Sequence, residues 1–142
     1  MGYFREISIF VGCTAGRAAA MENINIINEE MLLENIQKMG EYAMVKMHEL
    51  KEKYTMVGDV RGKGLFLGIE LLKYRSTKEP ADESVAAGIA ADCMKNGVIN
   101  GRINRSHGKF NNTLCLAPAL IATKDDIDEI MTTIDNALER AS

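Results

Sequence analysis

The stretch that most limits how this chain can fold is residues 56–71, Met-Val-Gly-Asp-Val-Arg-Gly-Lys-Gly-Leu-Phe-Leu-Gly-Ile-Glu-Leu. Leu65, Leu67, Ile69 and Leu71 alternate with Phe66, Gly68 and Glu70. A period of two sends neighbouring side chains to opposite faces of a strand, so these four form one aliphatic stripe. A second apolar run precedes them, and the Arg61-Gly62-Lys63-Gly64 connection holds two glycines for the φ > 0 positions that a chain reversal needs. The stretch is expected to be a β-hairpin with one face that another layer must cover. Its glycines do not make a phosphate cradle. Gly62, Gly64 and Gly68 are spaced G-x-G-x-x-x-G, with Leu67 where a dinucleotide fingerprint has its third glycine. Lys63 at a hairpin tip has neither the desolvation nor the neighbouring cation that activates an amine, so it is expected to be solvated.

Elsewhere the pattern is helical. Thr14 can cap a helix over Ala15–Asn28, with Met21, Ile24 and Ile27 on one face. A longer helix over Glu30–Lys53 carries Leu32, Ile36, Met39, Ala43, Met47, Leu50 and Tyr54 at steps of three and four. Its methionines are read as core filler. Residues 73–81, polar and containing Pro80, are expected to be a loop. A third helix opens at Asp82 or Ser84 and ends at Asn96-Gly97 with a left-handed cap. Residues 97–100 form a short strand, 101–112 a basic loop, and Thr113–Leu116 a further strand ended by Pro118. Thr123 caps a last helix whose first turns hold Asp125, Asp126 and Asp128 and whose buried stripe is Ile127, Ile130, Met131, Ile134 and Leu138. This order describes an α+β fold: a small antiparallel or mixed sheet of three to four strands covered by about four helices on one face.

The 142 residues make one domain, which can bury roughly two-thirds of its unfolded surface. A net charge of −3 argues against nucleic acid as a partner, and no apolar run reaches the ~20 residues that span a bilayer. The start lacks a charged n-region and an h-region, so no secretory signal is expected and the cytoplasm is the expected location. Cys13, Cys93 and Cys115 include no C-x-x-C pair and are read as reduced thiols, while His48 and His107 have no partner at ligand spacing, so no metal is expected.

Val60-Arg-Gly-Lys-Gly-Leu65 followed by Gly68-Ile-Glu-Leu71 closely resembles the V-R-G-x-G-L-x-x-G-I-E signature of class III aminotransferases, which are pyridoxal-phosphate enzymes. The resemblance covers nearly the whole chain. Residues 7–16, Ile-Ser-Ile-Phe-Val-Gly-Cys-Thr-Ala-Gly, are similar to the S-T-F-G-G stretch that opens the family's C-terminal part, and 29–35, Glu-Glu-Met-Leu-Leu-Glu-Asn, to its E-x-L-L-E-N. Residues 111–121, Asn-Asn-Thr-Leu-Cys-Leu-Ala-Pro-Ala-Leu-Ile, are similar to its last motif, in a form found in pyruvate-dependent members that act on taurine or similar ω-amines.

The resemblance implies the small C-terminal domain of such an enzyme, with the fold of the small domain of fold type I aminotransferases and residues 1–13 as the junction to a large cofactor domain. The Schiff-base lysine, the acidic partner of the pyridinium nitrogen and the glycine-containing phosphate cradle belong to that large domain, so no catalytic residue is assigned here. Ile9 stands where the family's threonine reaches the cofactor phosphate of a neighbouring subunit, and it has no donor, so no cofactor-binding residue is assigned either. The chain alone, a fragment or truncated product, is expected to be inactive and to hold no pyridoxal phosphate. Its implied partners are an aminotransferase large domain and further copies in a homo-oligomer. Arg105 is the candidate for the substrate carboxylate: it lies in a loop with Arg102, His107 and Lys109, and guanidinium suits a carboxylate in bidentate geometry. The alternative is a stand-alone, non-catalytic binding or interaction module that uses the basic loop as an anion site.

Overall fold

A computed structural model describes residues 13–102 and 111–142. Residues 1–12 of the junction segment, Ile9 included, and the basic residues Arg105, His107 and Lys109 therefore lie outside the described residues. The chain divides into two compact units, Met1–Leu33 and Glu34–Ser142.

In the first unit, helix α1 spans Thr14–Glu29. Its cap is Cys13 and not Thr14: Thr14 is already helical, and the Cys13 Sγ accepts a hydrogen bond from the Gly16 amide at 3.4 Å. The helix ends where the Glu30 amide donates back to the Ile26 carbonyl and Met31 takes a φ of 52°. No residue of α1 is buried, and Met21 and Ile24 are 59% and 53% exposed.

Helix α2 spans Leu32–Lys53, so all but its first two residues belong to the second unit. There follow β1 (Val57–Lys63), β2 (Phe66–Tyr74), β3 (Glu79–Pro80), α3 (Glu83–Lys95), β4 (Gly101–Arg102), β5 (Thr113–Leu116) and α4 (Lys124–Ala141). All strand pairs are antiparallel in the order β1-β2-β5-β4, with β3 added to the end of β2. The α+β class is as expected, with five strands among the described residues.

The hairpin is present, but its turn is shorter than the four-residue connection expected from the glycines. Lys63 pairs with Phe66, leaving Gly64-Leu65 as the turn, and Arg61 and Gly62 stay in the ladder opposite Gly68 and Leu67. Gly64 takes the left-handed φ of +56°. Gly62 is required by space: a Cβ there would sit 2.6 Å from both Leu67 Cδ2 and the Phe66 carbonyl oxygen. The expected aliphatic stripe is buried throughout, with Leu65, Leu67, Ile69 and Leu71 at most 4% exposed, and register brings Leu67 and Ile69 beside Leu116 and Leu114 of β5. Met47 from α2, Ile89 and Cys93 from α3, and Ile127, Ile134 and Leu138 from α4 join that row in one core. Each side chain so buried contributes about 1.5–3 kcal/mol. The opposite row, Phe66, Gly68 and Glu70, is exposed or half-buried.

Two more expectations change. Part of the 73–81 loop is strand: β2 runs on to Tyr74, and Glu79-Pro80 pairs back to it, proline being tolerated because β3 lies at an edge. The short strand falls at Gly101–Arg102 instead of 97–100. The reason is the end of α3, where Gly97 (φ 89°) donates to the Met94 carbonyl and Val98 to the Cys93 carbonyl, so these residues close a Schellman motif and cannot enter a ladder. Helix α4 starts as expected, with Thr123 and Asp126 forming a capping box.

Candidate functional site

The conspicuous signature Val60–Leu71 turns out to be an ion-paired brace. Arg61 Nη1 donates to Glu70 Oε2 at 2.7 Å and to Asp59 Oδ2 at 3.1 Å, and Lys51 Nζ lies 3.5 Å from Asp59 Oδ1. The hydrogen bond to Glu70 raises the Arg61 pKa further. Burial pushes the Asp59 carboxyl up, but Arg61 and Lys51 outweigh it and leave it below its ordinary value. Two cations and two carboxylates cancel here, so the brace offers no net charge to a ligand.

Two other motif asparagines are also structural. Asn35 Nδ2 donates to the carbonyls of Leu120 and Ala122, at 2.8 and 3.0 Å, which ties α2 to the turn before α4. Asn112 donates through Nδ2 to the Leu71 carbonyl and accepts from the Leu71 amide through its own carbonyl, locking the entry of β5 to β2. Helices α2 and α4 are joined by Lys53 and Tyr54, which both donate to Asp135, at 2.8 and 2.6 Å, and by Tyr42, which donates to Asp128 at 2.5 Å.

The basic loop is where the sequence put its candidate, and its two flanks are well defined. Arg102 is a strand residue whose Nη1 donates to Glu83 Oε1 at 2.6 Å, so its charge is already matched by a carboxylate. Arg102 is therefore not a free cation, as the sequence grouping with Arg105 had it. On the other flank Asn111 Nδ2 donates to Glu83 Oε2 at 3.3 Å. The Arg102 hydrogen bond, with that of Asn111, holds the Glu83 carboxyl below its ordinary range. Glu83 was not singled out from the sequence, because an acidic residue in the first turn of a helix is commonplace and carries no sign of a long-range partner. Behind this base, burial pushes the Cys93 thiol up, away from the thiolate form a nucleophile needs.

The described residues do not fit the aldehyde of pyridoxal phosphate. That group requires an amine that is desolvated or has a lowered pKa. No lysine among the described residues is buried, and Lys63 is exposed on the strand end. Lys46, Lys51 and Lys53 face Glu49, Asp59 and Asp135, and the hydrogen bond that Lys53 donates to Asp135 raises the Lys53 pKa, the opposite of what condensation with an aldehyde needs. No covalent step on the cofactor is assigned to these residues.

Comparison with known proteins agrees with the motifs. The family model "Aminotransferase class-III" matches residues 8–138. The hypotaurine/taurine–pyruvate aminotransferase of Paracoccus denitrificans is 54% identical over 99% of this chain, which covers 30% of that protein. The taurine–pyruvate aminotransferase of Rhodobacter capsulatus is 53% identical over 97% of the chain, again covering 30% of the relative. Among solved structures, an aminotransferase of Bacillus anthracis superposes with a TM-score of 0.91 at 38% identity, over 97% of this chain and 31% of that one. An amine transaminase from an uncultivated Pseudomonas species, described in its PLP-bound internal aldimine form, superposes with a TM-score of 0.79 at 28% identity, over 88% of this chain and 27% of that one. The chain thus spans about a third of the length of the relatives it matches. With the signature, the small-domain fold and the family model all in register, the chain belongs to the class III aminotransferases.

Proposed function

We propose that this chain forms the small-domain share of a pyridoxal-phosphate-dependent transaminase that moves an amino group from an ω-amine or amino acid to pyruvate or another 2-oxo acid, and that the chain by itself is inactive. The observation that carries this is the 54% identity to the Paracoccus enzyme across 99% of the chain, a span that includes every signature motif. In this reading a large domain supplies the cofactor lysine and covers the open row of the sheet, and copies of the enzyme associate. The small domain contributes the segment between Arg102 and Asn111, from which Arg105 contacts the acid group of the substrate by paired N–H donors. The inactivity of the chain is supported by its described lysines, which are exposed or paired with carboxylates.

A chimera tests both parts. Residues 8–138 replace the aligned portion of the Paracoccus enzyme, and alanine formation from taurine and pyruvate is followed. The chimera is expected to transaminate, and Arg105→Ala within it to raise KM about tenfold or more, the size of a lost charged hydrogen bond. The 142-residue chain, treated with pyridoxal phosphate and borohydride, is expected to yield no stoichiometric lysyl adduct. A folded, cofactor-loaded chimera without activity would overturn the transaminase reading, and a single stoichiometric adduct would overturn the inactivity of the chain.

A further inference from the structure

The chain holds two Asn-Gly pairs, Asn96-Gly97 and Asn100-Gly101, and the fold treats them differently. In such a pair the glycine has no Cβ to keep its backbone nitrogen away from the asparagine side chain, so that nitrogen can attack the amide carbon Cγ. Asn96 and Gly97 are both exposed, and a Cβ on Gly97 would meet nothing within 4 Å, so water and hydroxide reach the pair. Asn100 has both polar atoms of its side chain buried, and Gly101 is held in the ladder opposite Cys115. What restrains Asn96 is the cap of α3. Its Nδ2 donates to the Asp92 carbonyl at 2.8 Å, and the Gly97 nitrogen that must attack donates to the Met94 carbonyl at 3.2 Å. The Val98 amide donates to the Cys93 carbonyl at 3.0 Å. A helix end held by such bonds frays without unfolding the core behind it.

We propose that Asn96 is a modification site at which the folded chain deamidates spontaneously, while the fold keeps Asn100 intact. Hydroxide removes the Gly97 N–H proton, the nitrogen attacks Asn96 Cγ, and the new N–Cγ bond forms as the Cγ–Nδ2 bond breaks. Nδ2 leaves as ammonia, taking its last proton from water and so regenerating hydroxide, and a cyclic imide remains. Water then opens the imide. Cleavage at Cγ leaves aspartate, and cleavage at the backbone carbonyl carbon of residue 96 leaves isoaspartate, with the main chain running through Cγ. Either product weakens the cap. A carboxylate cannot donate to the Asp92 carbonyl, and it stands at the negative end of the helix dipole. It also faces Asp92 one turn back, whose Oδ1 is 3.4 Å from Asn96 Nδ2, and like charges four residues apart on a helix repel. Asp92 receives Arg140 of α4 at 2.6 Å, so the second carboxylate competes for the cation that braces α3 to α4. Isoaspartate further adds a carbon to the main chain, which carries the Gly97 and Val98 amides out of register with their carbonyls.

The test ages the folded 142-residue chain at mildly alkaline pH, beside the same chain in urea. Peptide mass mapping reads the exchange of NH2 for OH at each asparagine, and labelling by an isoaspartyl carboxyl methyltransferase reads isoaspartate. In the fold, Asn96 is expected to convert about tenfold faster than Asn100 or more, because Asn100 reacts only after β4 unpairs. In urea the two pairs are expected to convert at similar rates. Asn100 converting as fast as Asn96 in the folded chain, or loss of Asn96 confined to urea, would overturn the proposal. The effect on the cap is read in Asn96→Asp by amide hydrogen exchange: Gly97 and Val98 are expected to exchange a few fold faster than in the parent, with Ile134 in the core of α4 unchanged. Parental exchange at Gly97 and Val98 would overturn the weakening of the cap.

Discussion

Helix α2 meets the hairpin turn at a pair of glycines, and a single methyl group there should weaken the fold. A Cβ on Gly40 would lie 2.5 Å from the Gly64 carbonyl oxygen and 2.6 Å from its carbonyl carbon and Cα, whereas ordinary contact begins at 3.4 Å. The obstacle is backbone on both sides, so Gly40→Ala cannot be relieved by a rotamer change. The helix and the turn must separate by about 1 Å, in a place where Ile36 already touches the space beside Gly64. Overpacking of this kind costs about 3 kcal/mol at the upper end of the measured range. Alanine recovers about 1 kcal/mol of helix propensity over glycine. The expected net effect is a loss of about 2 kcal/mol, seen as a fall of roughly 6 °C in Tm for a chain of this size. Gly88 provides the control: it is a helical glycine in α3, and a methyl group added there would meet nothing within 4 Å. Gly88→Ala should therefore stabilise by up to about 1 kcal/mol. Urea unfolding followed by circular dichroism gives both values. A Gly40→Ala protein as stable as the parent, or stabilised like Gly88→Ala, would refute the close approach of α2 to the turn.

Gly64→Val should lower Tm more than Lys63→Ala, because Gly64 combines a φ of +56° with Ile36 Cγ2 only 2.4 Å from its Cβ position, while Lys63 is exposed; equal Tm values would remove the turn assignment. At Asp135, burial pushes the carboxyl up, but hydrogen bonds from Lys53 and Tyr54 and the Lys53 charge outweigh it and hold the pKa below 3.8. The folded state then binds fewer protons than the unfolded one, so this contribution is present above pH 3.8 and is lost as pH falls through the lower folded value. Asp135→Asn should accordingly be less stable than the parent at neutral pH, and the two urea midpoints should converge on acidification; parallel pH curves would contradict the assignment.

What could be read from the chain alone was what neighbouring residues decide among themselves. The aliphatic row Leu65–Leu71 was legible because alternation is set by the pleat of one strand, and the start of α4 because Thr123 and Asp126 sit within a single turn. The family was legible because its motifs are contiguous. Cap and turn details were less so. Cys13 displaced Thr14 as the cap of α1, and the hairpin turn moved to Gly64-Leu65, since each depends on where regular backbone begins and not on residue type alone. Arg105 and Ile9 lie outside the described residues, so their roles remain where the sequence put them. The partners that hold the candidate site are far apart in the chain: Arg61 with Glu70 across a ladder, Glu83 with Arg102 and Asn111, and Asn35 with Leu120. Periodicity and propensity act over a few residues, so the sequence by itself determined the helices, the hairpin and the family, but not the short strands β3 and β4. Which donor meets which carboxylate, and which glycine must stay bare, only the tertiary structure decided, because a contact between distant segments exists only once the sheet and helices have packed.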